Sequence, residues 1–281
     1  MIKRFIKKLI DVKSKILIKI LGKSKIGRYF LFRYSRNIIN QTKFVNRKNI
    51  KMSFYVPNEI NRFRVNTFFD KEPETLKWID NFQKNSVFYD IGANIGLYSC
   101  YASIKNHCKT YAFEPSYFNL ELLAKNIYLN DLSDQVIIIP ISLSSEKKIS
   151  KFNMSSTEWG GALSTFDKKF TYDGSELKTV FSYSTMSMSL DECISFFQFP
   201  QPDYIKIDVD GIEHLILSGS MKVSQSTKSI LIEINENFLE NKEKCEECLK
   251  KSGLKFLNKT SLDYNNKGNY EGCYNQIWIR D

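Results

Sequence analysis

Val87-Phe88-Tyr89-Asp90-Ile91-Gly92-Ala93-Asn94-Ile95-Gly96 joins an apolar strand, a terminal carboxylate and a glycine-bracketed turn, and the reading of the chain grows outward from it. A run this short and this apolar suits a strand buried on both faces, and the glycines let the backbone bend sharply before a helix expected through Leu97–Ala102. Thr110-Tyr111-Ala112-Phe113 repeats the pattern and ends at Glu114-Pro115. A helix follows over Asn119–Leu129, then an Ile-rich third strand over Val136–Leu143. Tyr204-Ile205-Lys206-Ile207 is a fourth strand, breaking at Asp208-Val209-Asp210-Gly211. After it come a helix through Leu215–Leu217, the strand Ile230-Leu231-Ile232, and two strand candidates, Lys255–Leu257 and Gln276–Ile279. Strands alternating with helices predict a doubly wound α/β fold with a mainly parallel sheet covered on both faces.

Upstream, Glu72-Pro73-Glu74 opens a helix through Leu76, Trp78, Ile79 and Phe82, with proline in the first turn and acids at the positive end of the dipole. Residues 144–203 interrupt the alternation with Gly160-Gly161, Gly174 and many Ser, Thr and aromatic residues. That is too much chain for a bare connection, so an insertion with its own hairpins is expected between the third and fourth strands.

At 281 residues, 42% hydrophobic and 26% charged, the chain suits one globular core with an appendage. Its net charge of +10 is unevenly placed: residues 1–50 hold 15 Lys and Arg against one acid, Asp11, a balance of +14 that leaves −4 for the rest. The basic character belongs to an N-terminal arm over 1–50, and a domain over 51–281 carries the chemistry. An acidic body argues against a nucleic-acid partner. Within the arm, Ile2, Phe5, Ile6, Leu9, Ile10, Ile16, Leu17, Ile20 and Leu21 recur at spacings of three and four, with lysines on the other face. This predicts an amphipathic helix, packed either on the body or a second subunit, or on an anionic membrane surface. No run approaches the ~18 apolar residues of a spanning helix, and no signal-peptide cleavage pattern follows. Cys245 and Cys248 form a C-x-x-C without the second pair or histidines of a zinc site, so reduced thiols and a cytoplasmic setting are expected, with contact at the inner membrane face left open.

In a doubly wound sheet, ligands bind beyond the carboxyl ends of the strands. A dinucleotide site wants glycine where Asn94 stands, so the turn suits a ligand lacking a pyrophosphate. Glu114, 24 positions after Asp90 at the next strand end, is placed to accept ribose hydroxyl protons.

FYDIGANIGLYS (88–99), YAFEPSYFNLELLAKNIYLN (111–130), DYIKIDVDGIEHLILSGS (203–220) and SILIEI (229–234), in that order, closely resemble the FkbM family of methyltransferases. FFDKEPETLKWI (68–79) and EWGGALSTF (158–166) resemble the branch that acts on bacterial surface saccharides, and the likeness covers residues 62–281. It implies a Rossmann-like class I methyltransferase fold with a seven-stranded sheet, S-adenosyl-L-methionine as donor and a hydroxyl as acceptor. It further implies that Asp90, Gly92, Ala93, Asn94 and Gly96 line the methionine end of the cofactor. Glu114 would hold the ribose beside Pro115, Ser116 and Asn119, with Ser142 near the adenine and Asp208 at cofactor or substrate. Many relatives have Glu where this chain has Asp210, one methylene shorter, which puts a role needing reach in question.

A sugar hydroxyl is a poor nucleophile at neutral pH, so a base or a metal is expected. The candidate bases are Asp208, Asp210 and His214; the candidate Mg²⁺ ligands are Asp208, Asp210 and Glu233, with Asn235 beside them. Trp159 beside Gly160-Gly161 is a candidate for stacking on a sugar. The expected activity is O-methylation of a saccharide hydroxyl in a cell-surface glycan or its precursor. The rivals are methylation of a secondary metabolite, a nicotinamide-dependent enzyme, an RNA methyltransferase and a non-catalytic protein acting through its arm. Homo-oligomerisation stays open.

Overall fold

The computed structural model describes residues 2–262 and 270–281 and, within its first helix, the side chains of residue 6 and of residue 8 onward; those of Ile2 and Phe5 lie outside the described residues. In chain order the elements are α1 (Ile2–Leu21), α2 (Lys25–Ile39), β1 (Thr42–Arg47), β2 (Ile50–Tyr55), α3 (Glu59–Lys71), α4 (Pro73–Asp80), β3 (Val87–Ile91), α5 (Leu97–Asn106), β4 (Lys109–Phe113), α6 (Tyr117–Leu129) and β5 (Val136–Ile139). Then follow β6 (Ser142–Leu143), β7 (Lys148–Met154), β8 (Ser164–Phe166), β9 (Phe181–Met188), α7 (Leu190–Phe197), β10 (Tyr204–Ile207), α8 (Glu213–Ser218), α9 (Met221–Ser224), β11 (Ser229–Asn235), α10 (Leu239–Lys251), β12 (Lys255–Ser261) and β13 (Cys273–Ile279).

The central sheet has seven strands in the order β12-β13-β11-β10-β3-β4-β5. All neighbours from β5 to β11 pair in parallel, and β13 lies antiparallel to both β11 and β12. From β3 the chain winds outward through β4 and β5, then returns to β10 on the other side. The strand order therefore reverses between β3 and β10, which opens a crevice at their carboxyl ends. Alternate residues supply two cores. Tyr89, Ile91, Phe113, Ile207 and Ile232 pack on one face with Leu190, Ile216 and Leu249. Phe88, Ala112, Val136 and Leu231 pack on the other with Leu76, Tyr101, Leu123 and Phe54.

The interruption after β5 is a four-stranded sheet in the order β6-β9-β7-β8, built on antiparallel β7–β8 and β7–β9 pairs. The sequence reading carried the insertion through to residue 203, whereas α7 is a helix with a capping box: Ser189 Oγ accepts the Glu192 N–H while Glu192 bonds back to Ser189 N. Eight residues are too few to display a helical period, but Ser189 and Glu192 at cap spacing are the signal for it. The second half of the basic arm forms most of α2 and then β1, which pairs with β2 in a hairpin that turns through Lys48 and Asn49 at φ 48° and 68°. The helix at Glu72-Pro73 forms as expected, with Pro73 in its first turn.

Candidate active site

A cavity of about 700 Å³ lies at the carboxyl ends of β3, β4 and β10, within the size range of small-molecule sites. The strand tips are drawn together by backbone bonds: Gly92 N and Ala93 N both donate to Phe113 O at 3.0 Å, and Asp208 N donates to Ile91 O at 3.1 Å. Gly92 has φ +81°, and a Cβ on it would lie 2.0 Å from the Asp208 carbonyl oxygen, so only glycine permits this approach. Asn94 (φ 50°) and Gly96 (φ 83°) complete the bend.

Glu114 is buried in the cavity wall. Its Oε2 accepts the Asn94 N–H at 2.8 Å and its Oε1 accepts the Ser116 N–H at 2.8 Å. Burial pushes its pKa up to about 7 against the opposing hydrogen bonds from Ser116 and Asn94. Ser116 and Ser142 also line the cavity, and their buried Oγ atoms have no hydrogen-bond partner among the described residues. A buried hydroxyl without a partner is costly, so two in one wall mark where a polar ligand docks. Leu143, Phe152, Phe166 and Ile216 form an apolar flank beside Ser142. Such a wall fits a nucleoside: carboxylate for ribose hydroxyls, apolar slot for a base, hydroxyls for its edge.

Asp90 is placed differently. It is buried beneath the bend and does not reach the cavity wall; its Oδ2 accepts Ser99 Oγ–H at 2.5 Å, its Oδ1 is unpartnered, and burial raises its pKa. Its contribution is to the packing of β3 against α5. Gly92, Ala93, Asn94, Pro115, Asn119, Asp208 and Asp210 all line the cavity. Gly96 does not; a Cβ there would lie 2.5 Å from Leu123 Cδ1, so it serves the close approach of α5 to α6.

The far side of the cavity holds a cluster that the sequence reading largely missed. Lys206, 1% exposed, donates to Asp208 Oδ2 at 2.5 Å. Lys71 lies 3.0 Å from Glu72 Oε1, and Tyr98 donates its O–H to Glu72 Oε2 at 2.9 Å. Burial alone would lower both lysines, but Asp208 and Asp90 around Lys206, and Glu72 and Asp208 around Lys71, outweigh it and raise them. Burial likewise works against charge on Asp208, yet Lys206 and Lys71 hold its pKa below the usual carboxylate value. Glu233, half-buried, is raised well above its ordinary value, chiefly by desolvation and then by Asp208 and Glu72. Lys206 is the only charged residue inside the apolar run of β10, a signal that was there to be read.

The acids proposed for magnesium are therefore committed to other partners. Asp208 is held by an ammonium, Asp210 Oδ2 accepts the Ser164 N–H at 2.8 Å, and the surroundings of Glu233 disfavour its charged form. Among the described residues no group of three His, Cys, Asp or Glu gathers to hold a metal ion. The donor set does not fit Mg²⁺. Asp210 is pushed up to about 6, chiefly by burial and then by Asp208, against the Ser164 hydrogen bond. His214 is outside the cavity wall, with Nδ1 2.7 Å from Asn241 Oδ1, and burial lowers its pKa.

The outer wall comes from α3, whose Ile60, Phe63, Arg64, Thr67, Phe68 and Lys71 all face the cavity, and from the loop around Gly160-Gly161. That loop is stitched to both sides. Asn94 Nδ2 donates to Gly161 O at 2.9 Å, Gly160 N donates to Asn119 Oδ1 at 3.0 Å, and Arg64 Nε donates to Gly160 O at 2.8 Å. Trp159 turns away from the cavity: its indole N–H donates to Glu121 Oε2 at 3.1 Å on α6. A sugar-stacking role does not follow from that position.

The profile of the methyltransferase FkbM domain matches residues 90–264. The hexuronic acid methyltransferase AglP of Haloferax volcanii is 26% identical over 160 residues, covering 56% of this chain; the match spans 59% of that enzyme's length. A Streptococcus mutans structure described as a SAM-dependent methyltransferase aligns over 85% of this chain and 55% of its own at TM-score 0.51 with 9% identity, a likeness of fold alone. A methyltransferase FkbM structure from Methylobacillus flagellatus aligns over 79% of this chain and 55% of its own, with 13% identity and a TM-score of 0.48. The matched region spans the central strands, the bend after Asp90 and the Glu114 and Asp208 strand ends, and the chain belongs to the FkbM methyltransferase family.

Proposed function

We propose that the chain transfers a methyl group from S-adenosylmethionine to a hydroxyl of a saccharide belonging to a cell-surface glycan or its precursor. The observation that carries the reading is one cavity walled by the Glu114 carboxylate, the glycine bend and the orphaned Ser116 and Ser142 hydroxyls on one side, and by a polar, self-neutralised cluster on the other. When bound, the cofactor supplies an electrophilic methyl on a sulfonium. Every other requirement falls to the protein: holding the two reactants in line, excluding water and taking the hydroxyl proton.

Glu114 holds the ribose, with Asn94 N–H and Ser116 N–H fixing the carboxylate from behind. Asp208, kept ionised by Lys206, accepts a hydrogen bond from the acceptor and orients it. Asp210, with its pKa near 6, is matched to receive the proton at neutral pH. The stitched loop at Gly160-Gly161 closes the space between the α3 wall and the cofactor side. Arg64 and Lys71 on that wall suit an acidic sugar, in keeping with the hexuronic acid named for the archaeal relative.

The test is incubation with methyl-labelled donor and a panel of sugar nucleotides and glycan fractions, each sugar offered with and without its carboxylate. Label on a sugar oxygen, with preference for the acidic sugar, supports the reading. Label on nitrogen of protein or RNA overturns the acceptor, and failure to bind S-adenosylhomocysteine overturns the donor.

A further inference from the structure

Among the described residues, the apolar stripe of α1 has no partner in the body of the protein. Every residue from Lys8 through Ile20 is exposed, and Ile10 and Ile20 keep 59% and 60% of their surface in solvent. Leu9, Ile16 and Leu17 share that face, while Lys8, Lys15 and Lys19 lie on the other. Next to it α2 presents a second unpartnered set, Ile26, Tyr29, Phe30, Phe32 and Tyr34, all exposed. Of the partners the sequence left open for this stripe (the body, a second subunit or a membrane surface), its described side chains do not dock on the body.

The two helices meet at a built corner. Ser24 Oγ accepts the Gly27 N–H at 2.9 Å, Arg28 donates to Gly22 O at 3.1 Å, and a Cβ at Gly27 would lie 2.0 Å from the Leu21 carbonyl oxygen. This close approach fixes how α1 leaves α2, so the stripe is presented by a defined hairpin.

We propose that the α1–α2 hairpin is a membrane-surface anchor that lies in the headgroup region of an anionic bilayer. Three observations choose this occupant. Residues 1–40, which hold the hairpin, carry +11 while the remainder of the chain carries −1, so an anionic surface attracts the hairpin and not the body, which orients the protein on it. A second copy of the arm would bring like charges of this size together. Nucleic acid offers phosphates to the lysines but nothing to cover the Ile and Leu face, whereas a lipid headgroup boundary covers both at once. No described helix is long and apolar enough to cross a membrane, so the hairpin lies along the surface. Tyr29 and Tyr34 on α2 place amphipathic rings where they favour the interface.

The experiment uses the full chain and does not read activity, so it stands or falls apart from the methyl-transfer proposal. Co-sedimentation is measured with phosphatidylcholine vesicles and with vesicles containing phosphatidylglycerol, at low and high salt. Circular dichroism and S-adenosylhomocysteine binding serve as checks that the body is intact. Anionic vesicles are expected to bind at least about tenfold more tightly than neutral ones, with the difference shrinking in salt. The doubly substituted Ile10→Asp/Leu17→Asp and the triply substituted Lys8→Glu/Lys15→Glu/Lys19→Glu should each lose about tenfold or more. Equal binding to neutral and anionic vesicles, or none to either, overturns the proposal. So does a dimer, in sedimentation equilibrium, that Ile10→Asp/Leu17→Asp dissociates, since the stripe would then be a subunit interface.

Discussion

The Glu114 carboxylate, at the end of β4, accepts the backbone N–H of Asn94, in the bend after β3, at 2.8 Å. One side chain thereby joins two strand tips and still faces the cavity. Removing it as Glu114→Ala is expected to weaken S-adenosylhomocysteine binding by about 2–3 kcal/mol, roughly 30- to 150-fold, measured by calorimetry. Because burial raises Glu114 to about 7, the ionised form needed for ribose hydroxyls fills in only above that value. Cofactor affinity should therefore rise as pH climbs from about 6 to about 8. For stability the sign is opposite. The folded chain retains a proton that the unfolded chain releases near 4.5, so this group's contribution is complete below 4.5 and is lost as pH rises through 7. Glu114→Gln should flatten both slopes; an unchanged pH profile would remove Glu114 from the cofactor site.

Asp210 and His214 stand four residues apart and in different surroundings, which separates their roles. Asp210→Asn should lower kcat by about 10²- to 10⁴-fold and abolish an acidic limb near pH 6 in the rate profile. His214→Ala, outside the cavity wall, should leave kcat within about threefold. The reverse pattern would make the histidine the base.

Buried Lys206 and half-buried Asp208 form a pair whose two shifts have opposite signs. Asp208, held below 3.8, contributes stability above that value and loses it as pH falls through its folded pKa. Lys206, raised above 10.5, contributes below that value and loses it as pH rises through its own. Lys206→Met should thus cost about 3–5 kcal/mol across the range between them, with the deficit narrowing below pH 3.8 as Asp208 takes up a proton. Urea denaturation at several pH values measures this. With an ammonium already on Asp208, dialysis against a chelator should leave turnover unchanged; a loss restored by Mg²⁺ would show that the carboxylates rearrange around an ion.

Gly92→Ala forces a methyl group against the Asp208 carbonyl and a β-carbon into φ +81°. A loss of about 2–4 kcal/mol is expected in thermal or urea unfolding. Cofactor affinity should fall with it because the bend itself must move. Gly161→Ala, at ordinary φ and with 3.0 Å to the nearest atom, should cost far less.

The winding of β3, β4, β5, β10 and β11 is legible in the sequence because strands buried on both faces are short continuous apolar runs, and the cavity-lining residues fall at their ends. The outer wall was not, and α3 shows why. Its Val65 and Phe68 are buried in the core while Ile60 and Phe63 are exposed toward the cavity, so apolar residues on both faces blur the period that marks an amphipathic helix. The pairing of Lys71 and Glu72 with Lys206 and Glu233 was hidden too: Lys206 inside an apolar strand and Glu233 at a strand end are each marked in the sequence, but only the fold brings Lys71 and Glu72 from α3 and its end to meet them. Asp90 gave the opposite lesson. The family resemblance implied a ligand contact for it, but its side chain accepts from Ser99 on α5 and is not part of the cavity wall.

The strand β13 follows the other described strands in the chain and sits inside the sheet, between β11 and β12. Until it emerges from the ribosome, β11 offers a bare row of amides and carbonyls beside Ile230, Ile232 and Ile234, and β12, exposed along its whole length, has no strand to pair with. A chain stalled or cleaved before Cys273 would thus display an aggregation-prone edge.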